Sequence, residues 1–359
     1  MRLNEVFGSR ANNFNLLRLI AASLVLGTHS FTVVTGDADN EPLRLSLGIT
    51  WGAIAVDIFF VVSGLLVTSS MRRSDSAIDY SVARALRILP GLFAALVVTG
   101  LVASAMFYRT LDVTELVWYV FRNTFPFGEM PDRIAGIFVG NPAGPGFNAS
   151  LWTLPVELRM YRNVLLIWLL SFLLLKRRRL AFDCMIVAAA AYFLARHLAF
   201  PSYATIEASP SRLQMMFFVG AAALVLARYI RLSWIAVGAV VAAIVAASLQ
   251  RSAFYVVYSL GLWYVVLCLA YLPRGKVLSF NRLGDYSYGV YIYAWPVQQM
   301  VISVWPGIGV AAHIVVSAVI VLGLSVVSWH VVESPALQLK KRWIGRKHRV
   351  DVSEVARTA

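Results

Sequence analysis

Charge is scarce in this sequence. Asp, Glu, Lys and Arg make up 14% of its 359 residues, against roughly a quarter in an ordinary soluble domain, while apolar residues make up 59%. That balance argues against a soluble globular fold, and equally against an intrinsically disordered chain, which is poor in apolar residues. Cysteine is nearly absent: Cys184 and Cys268 are the two it has, each inside an apolar stretch, so neither a disulfide framework nor a metal-ligand spacing is present. No internal repeat is visible, which removes the usual sequence argument for an inverted-repeat carrier. Proline is sparse too, but Pro126, Pro131, Pro142 and Pro145 fall together, and the segment 108–149 that holds them should be largely irregular.

What the sequence does have is long hydrophobic runs. A spanning helix needs about 20 predominantly apolar residues, and about ten such stretches occupy 14–36, 49–70, 88–107, 150–175, 180–200, 212–228, 232–250, 252–272, 285–305 and 308–332. The expected fold is an all-α integral membrane protein. One transmembrane domain, a bundle of about ten helices over 1–339, is followed by a basic cytoplasmic tail, 340–359, suited to a membrane surface. The first run carries Arg18 and His29, unlike the short apolar core of a cleavable signal peptide, so it is expected to be retained.

The formal net charge of +14 invites a nucleic-acid reading, since a basic surface is that footprint. Its distribution argues otherwise. With the amino terminus inside, Arg72, Arg73, Arg84, Arg87, the run 176–179, Arg228, Arg231, Arg274, Lys276, Arg282 and the tail all fall on the cytoplasmic side. Arg44, Arg109, Arg122, Arg133, Arg196, Arg212 and Arg251 face out. This is the positive-inside bias of a bacterial inner-membrane protein with both termini cytoplasmic. The partner it implies is the lipid bilayer, not nucleic acid. Segment 108–149 then lies outside, with 113–122 as a short interfacial helix through Trp118 and Tyr119.

Ionisable groups within spans are costly and tend to face the protein interior. Here they are Arg18, His29, Asp57, Glu157, Arg159, Arg162, Asp285 and Glu333. At 1.5 Å per residue, His29 should lie roughly 22 Å from the inner boundary and about 8 Å from the outer one. Asp57 and Glu157, on helices running the other way, should each lie roughly 10 Å below the outer face. Arg18, Arg84 and Arg87 gather at the inner end, and Glu333 at a similar level is a possible partner for Arg18. Guanidinium groups bind phosphates through bidentate, charge-assisted bonds. A neutral imidazole can take a proton from an attacking hydroxyl, and a neighbouring carboxylate can orient it. The layout suits a phosphate-bearing thioester entering from the cytoplasm and a hydroxyl arriving from the far side.

Six elements in order carry a resemblance: Arg18, ten residues, then His29; GAIAVDIFFVVSGLL (52–66); Arg84-Ala85-Leu86-Arg87 with Pro90; LWTLPVELRMY (151–161); YSYGVYIYAWPVQQ (286–299); and Glu333-Ser334-Pro335. Over about 12–336 the chain resembles the acyltransferase-3 family of bacterial membrane acyltransferases, which decorate surface polysaccharides, lipopolysaccharide, nodulation factors and some small molecules. The resemblance implies an O-acyltransferase that moves an acyl group, acetyl by default, from cytoplasmic acyl-CoA to a saccharide or glycolipid hydroxyl. No permanently bound cofactor or metal is implied. It implies that His29 is catalytic with Arg18 as its essential partner, and that Arg84 and Arg87 help bind the donor. It places Asp57 and Glu157 on the family's acidic positions. Tyr161, one turn beyond Glu157 on the same face, is a further site candidate, and Trp295 offers a ring on which a sugar can stack. The chain looks like the stand-alone type without a fused secreted domain.

One departure is Arg162, where such segments are usually apolar; it either enters the interior cavity or impairs activity. His197 and His313 lack partner motifs and read as satisfied core residues. A transporter or flippase of a polyprenyl-linked or glycolipid substrate stays open as the competing function, because spans with buried charges describe it equally. The acceptor, the acyl chain and the oligomeric state are left open.

Overall fold

The computed structural model describes residues 1–9, 11–74, 76–107, 112–126, 130–174, 178–201 and 211–339. The basic tail 340–359, Arg109, Lys176 and Arg177 lie outside the described residues. The fold is all-helical. In chain order the α-helices are α1 Leu3–Val6, α2 Phe14–Thr35, α3 Pro42–Leu47, α4 Trp51–Arg72, α5 Ala77–Met106, α6 Val113–Thr124 and α7 Thr153–Leu174. They continue with α8 Arg178–Ala199, α9 Arg212–Val225, α10 Trp234–Ala247, α11 Arg251–Tyr271, α12 Ser287–Val304 and α13 Val310–Ser328. Each of the ten expected segments is helical, and six helices among the described residues are long and apolar enough to cross a membrane. Helices α9 and α10, at 14 residues each, are shorter than the about 20 residues a full crossing needs.

Helix α9 is instead the buried post of the bundle. Small residues let it lie directly on α4: a Cβ at Gly64 would come within 1.8 Å of the Phe217 carbonyl oxygen, and one at Gly220 within 2.2 Å of the Val61 carbonyl oxygen. Close backbone approach through glycine is the packing expected where lipid supplies no hydrophobic drive between helices. Helix α5 begins well before the expected residue 88, at Ala77, because the Ser76 side chain caps it by accepting from the Ile78 N–H at 3.1 Å. Arg84 and Arg87 therefore stand on a helix wall rather than in a connecting loop.

The expected outer loop does more than connect. Asn141 donates to the Gln299 carbonyl at 2.9 Å, Gln299 donates to the Gly144 carbonyl at 2.9 Å, and Trp295 donates to the Gly146 carbonyl at 2.8 Å. Asn148 then donates to the Ile292 carbonyl at 2.8 Å, and Tyr291 to the Ser150 carbonyl at 2.8 Å. Partners thus step along α12 from Ser303, which donates to Asn141, down to Tyr291, a descent of about 18 Å at 1.5 Å per residue. Residues 141–152 run back along α12, whose side chains satisfy backbone carbonyls of the segment at Gly144, Gly146 and Ser150. Helix α6, capped by Asp112, steadies it from above: Tyr119 packs on Phe147 with ring centroids 5.0 Å apart, and Glu115 accepts from the Ala135 N–H at 2.9 Å. Of the two aromatics expected at the interface, Trp118 is exposed and Tyr119 is buried.

Candidate active site

A cavity of about 360 Å³ opens among α2, α4, α5, α7 and α12. Arg18, Arg73, Arg84, Arg87, Ser63, Glu157 and Tyr161 all line it. On α4 the lining residues Phe59, Ser63, Leu66 and Ser70 recur at helical spacing, so one face of that helix is the wall.

Glu157 stands deeper than the sequence suggests. Its Oε1 accepts from the Ser63 hydroxyl at 3.3 Å and from the Tyr161 hydroxyl, and Ser63 is twelve residues into α4, about 18 Å from that helix's start. Glu157 thus stands level with Ser63, about 18 Å along α4 rather than the expected 10 Å, because the segment leading into α7 first runs back along α12. Glu157 therefore joins the arginines and not His29. Tyr161 is fixed further by Tyr80, whose hydroxyl donates to the Tyr161 carbonyl at 3.0 Å, and the Arg84 guanidinium lies 5.8 Å from the Tyr161 ring centroid.

The arginines are not equivalent. Arg18 forms an ion pair with Asp285, and Arg87 bonds the same carboxylate oxygen at 2.6 Å while lying 3.8 Å from Glu333. The expected partner of Arg18, Glu333, thus faces Arg87 instead. It sits in a π-helical turn, Trp329–Glu333, of the kind often found at functional sites, and accepts from Ser328 at 3.2 Å. Arg84 has its Nε buried without a hydrogen-bond partner.

His29 lies eleven residues above Arg18 on α2, about 16 Å along the axis. Its ring meets the Trp295 ring edge to face, centroids 5.0 Å apart, and its Nδ1 is buried without a hydrogen-bond partner. The residues on either side are pinned: Thr28 accepts from the Gly52 N–H at 2.8 Å, and Ser30 accepts from Gln298 at 2.6 Å and meets His313 at 3.0 Å. His29 therefore faces the protein interior but does not line the arginine cavity. Phe59 and Tyr291, in edge contact at 5.9 Å, both line the cavity, and Trp295 is one turn beyond Tyr291 on α12.

Asp57 is placed apart from both. Fully buried, it pairs with Arg212 at 2.6 Å and accepts from Tyr258 at 2.7 Å, and it does not line the cavity. Neither does Arg162, which is exposed on α7, as is Arg159. His197 is buried between Ser259 at 3.1 Å and Tyr255 at 3.0 Å, and His313 between Ser30 and the Gln298 carbonyl at 3.0 Å each. Ser63 and Arg73 are the site residues that sequence reasoning passed over. The signal for Ser63 was a hydroxyl on the face that Phe59 and Ser70 share.

The site is a set of arginines leading to a carboxylate with two hydroxyls, with a separate imidazole at the other end of α2, and the sequence that builds it matches known proteins. A family model described as an acyltransferase domain matches residues 12–330. The chain belongs to the acyltransferase-3 family. This acyltransferase is 30% identical over 353 residues to an O-acetyl transferase of Shigella phage Sf6, covering 90% of this chain and 95% of that one. It is 31% identical over 389 residues to Nodulation protein 10 of Rhizobium leguminosarum bv. viciae, covering 96% and 98%. No solved structure matches it.

Proposed function

We propose that the acyltransferase carries an acyl group, acetyl in the first instance, from cytoplasmic acyl-CoA to a hydroxyl of a saccharide or glycolipid at the outer face of a bacterial inner membrane. The single observation that carries this reading is the split site on α2: Arg18 in the cation-lined cavity at one end, His29 with an unpartnered buried nitrogen at the other. The name of one relative, an O-acetyl transferase, supports the acetyl group and a hydroxyl acceptor, and the family supports acyl transfer over translocation.

The orientation rests on charge. Arg72, Arg73, Arg228, Arg231, Arg274, Lys276 and Arg282 end or follow helices at the end of the bundle where the N-terminal residues pack, with Leu3 N–H on the Ile230 carbonyl at 2.9 Å and Asn13 on the Pro273 carbonyl at 2.9 Å. Basic residues gathered at one end mark the cytoplasmic side, and the cavity mouth opens there. The about ten helical segments are read as crossing or entering the bilayer, with both termini inside.

In the reaction, the thioester carbonyl is attacked by the acceptor hydroxyl, whose proton passes to His29; the C–S bond breaks, and the imidazolium returns that proton to the departing sulfur, so that CoA leaves as the thiol and His29 is neutral again. His29 Nδ1 is buried without a partner, so the general base is the ring's other nitrogen, Nε2, which the acceptor hydroxyl meets. Glu157, held by Ser63 and Tyr161, shapes the thioester end of the cavity, and Asp57 is assigned to the scaffold. Trp295 holds the His29 ring by their edge-to-face contact.

The test uses purified protein with labelled acetyl-CoA and the host's envelope glycans. Label should appear in an ester on the glycan with the wild type and disappear with His29→Ala, while the variant elutes as a folded monodisperse protein. Wild-type-like acylation by His29→Ala ends the proposal, and glycan translocation without any acyl-CoA would move the chain to the carrier class.

A further inference from the structure

We infer that the arginines around the turn between α9 and α10 form a binding site for the headgroup of an anionic phospholipid, with phosphodiester oxygens as the ligand atoms. The site is independent of the acyl-transfer reading: no residue that lines it lines the arginine cavity.

The first residues of the chain build it. Leu3 is fully buried, and its N–H donates to the Ile230 carbonyl at 2.9 Å. The Asn4 N–H donates to the Ala227 carbonyl at 3.2 Å, and the Leu232 N–H to the Met1 carbonyl at 2.8 Å. These bonds set Arg2 opposite Arg231 in an antiparallel bridge, and directly opposite residues of such a pair carry their side chains on one face. Like charges so placed are unfavourable without a counter-ion. Arg228 joins them: Arg2, Arg228, Tyr229 and Arg231 line a hollow of about 360 Å³. A second hollow, of about 460 Å³, shares Arg231 and adds Arg274 and Trp234.

Among the described residues, no ion pair reaches Arg2, Arg228, Arg231 or Arg274. Glu5, the nearest acid in sequence, accepts from the Arg2 backbone N–H at 2.8 Å, and Arg274 meets the Met1 sulfur at 3.1 Å. Arg18, Arg72, Arg87 and Arg212 differ, since each pairs with a carboxylate. All four arginines of the turn are exposed, so their guanidinium forks, which match phosphate oxygens, are open to a ligand.

The surroundings select a lipid over a soluble phosphate. Tyr229 and Trp234 are exposed beside the arginines, as aromatic rings are at the headgroup level of a membrane. Helix α10 starts at Trp234, and of its residues Val237 alone is buried, while Ile235, Val241 and Val245 are exposed. A phospholipid satisfies both halves, with its phosphodiester at the arginines and its acyl chains along α10. Basic pockets between membrane helices suit such headgroups. Two hollows that share one arginine fit a headgroup with two phosphodiesters, which makes cardiolipin the probe.

The experiment is native mass spectrometry of the purified, delipidated full chain in a neutral detergent, titrated with cardiolipin, phosphatidylglycerol or phosphatidylcholine. Phosphatidylcholine should bind at least about tenfold more weakly than cardiolipin, with phosphatidylglycerol between them. The double variant Arg228→Ala, Arg231→Ala should weaken cardiolipin binding about tenfold or more, as removal of two cations beside phosphate implies. Arg231→Gln alone, which nearly keeps the side-chain length, should give a smaller loss. The control Lys276→Ala, Arg282→Ala removes the same charge from exposed residues outside both hollows and should keep the wild-type affinity. Inorganic phosphate should not displace the lipid. Equal losses in the two double variants would reduce the effect to bulk charge and overturn the site. Equal affinity for cardiolipin and phosphatidylcholine would also overturn it, and displacement by inorganic phosphate would make the occupant a free anion and refute the lipid.

Discussion

Replacing Asp57 by Asn should unfold this protein more readily without touching its chemistry. Asp57 is fully buried, Arg212 is 1% exposed, and their ion pair at 2.6 Å is backed by Tyr258 at 2.7 Å and by the Ala53 carbonyl, which accepts from Arg212 at 3.1 Å. An amide keeps the shape and can still accept from Tyr258, so the main loss is the counter-charge. Breaking a buried pair on one side costs about 3–5 kcal/mol, which is roughly two to almost four orders of magnitude in the folding equilibrium at about 1.4 kcal/mol per decade. Removing the stranded cation as well should undo most of this, because a buried pair replaced by apolar groups of similar size is often near neutral. The double variant Asp57→Asn, Arg212→Met should therefore recover all but about 1 kcal/mol, the bond to Ala53 being lost. The assay is unfolding in detergent with increasing SDS, followed by tryptophan fluorescence, with acetyl transfer measured per folded molecule. An Asp57→Asn protein as stable as wild type, or a double variant no better than the single one, refutes the clamp. Loss of transfer in a fully folded Asp57→Asn protein would return Asp57 to the reaction.

Two further outcomes follow from packing and charge. Gly64→Ala and Gly220→Ala should each destabilise by about 1–3 kcal/mol or more, because the added carbon meets backbone oxygen at 1.8 and 2.2 Å, whereas Gly238→Ala, with nothing within 4 Å, should be neutral or slightly stabilising; thermal unfolding of the three in one detergent checks the order. Asp285→Asn should lower stability by an amount between the about 1 kcal/mol of a surface pair and the about 3–5 kcal/mol of a buried one. It should also reduce transfer by loosening Arg18 and Arg87, and Asp285→Glu should restore part of both; equal stability of Asp285→Asn and wild type would contradict a stabilising role for these ion pairs.

Helix order and the residues of the arginine cavity were legible because periodic apolar runs and intramembrane charges are local signals. Arg18, Arg84, Arg87, Glu157 and Tyr161 all reach one cavity, as residues on helix faces do when their spacing is read correctly. Depth was not legible for Glu157. Counting from residue 150 assumes that a span starts at a membrane surface, but the hydrogen bonds from α12 that draw 141–152 inward are made by residues about 150 positions away. The pairing of Asp57 with Arg212 was not legible for a related reason. A lone acid in an apolar helix looks catalytic until its partner is known, and Arg212, counted among the outer-loop cations, gave no sign in sequence that it turns inward beside α4. Arg18 met Asp285 rather than Glu333 because the π-helical turn carries Glu333 toward Arg87 and Ser328, and such a turn leaves no periodic trace.

The central claim is that donor and acceptor reach this acyltransferase from opposite faces, the first at the arginine mouth and the second at His29. It is tested most directly with membrane vesicles of known orientation supplied with labelled acetyl-CoA, which does not cross the bilayer. Inside-out vesicles given acetyl-CoA from outside should acetylate glycan held in their lumen, and right-side-out vesicles should acetylate glycan supplied from outside only when acetyl-CoA is sealed within. Equal labelling by sealed right-side-out vesicles given acetyl-CoA from outside would contradict the account.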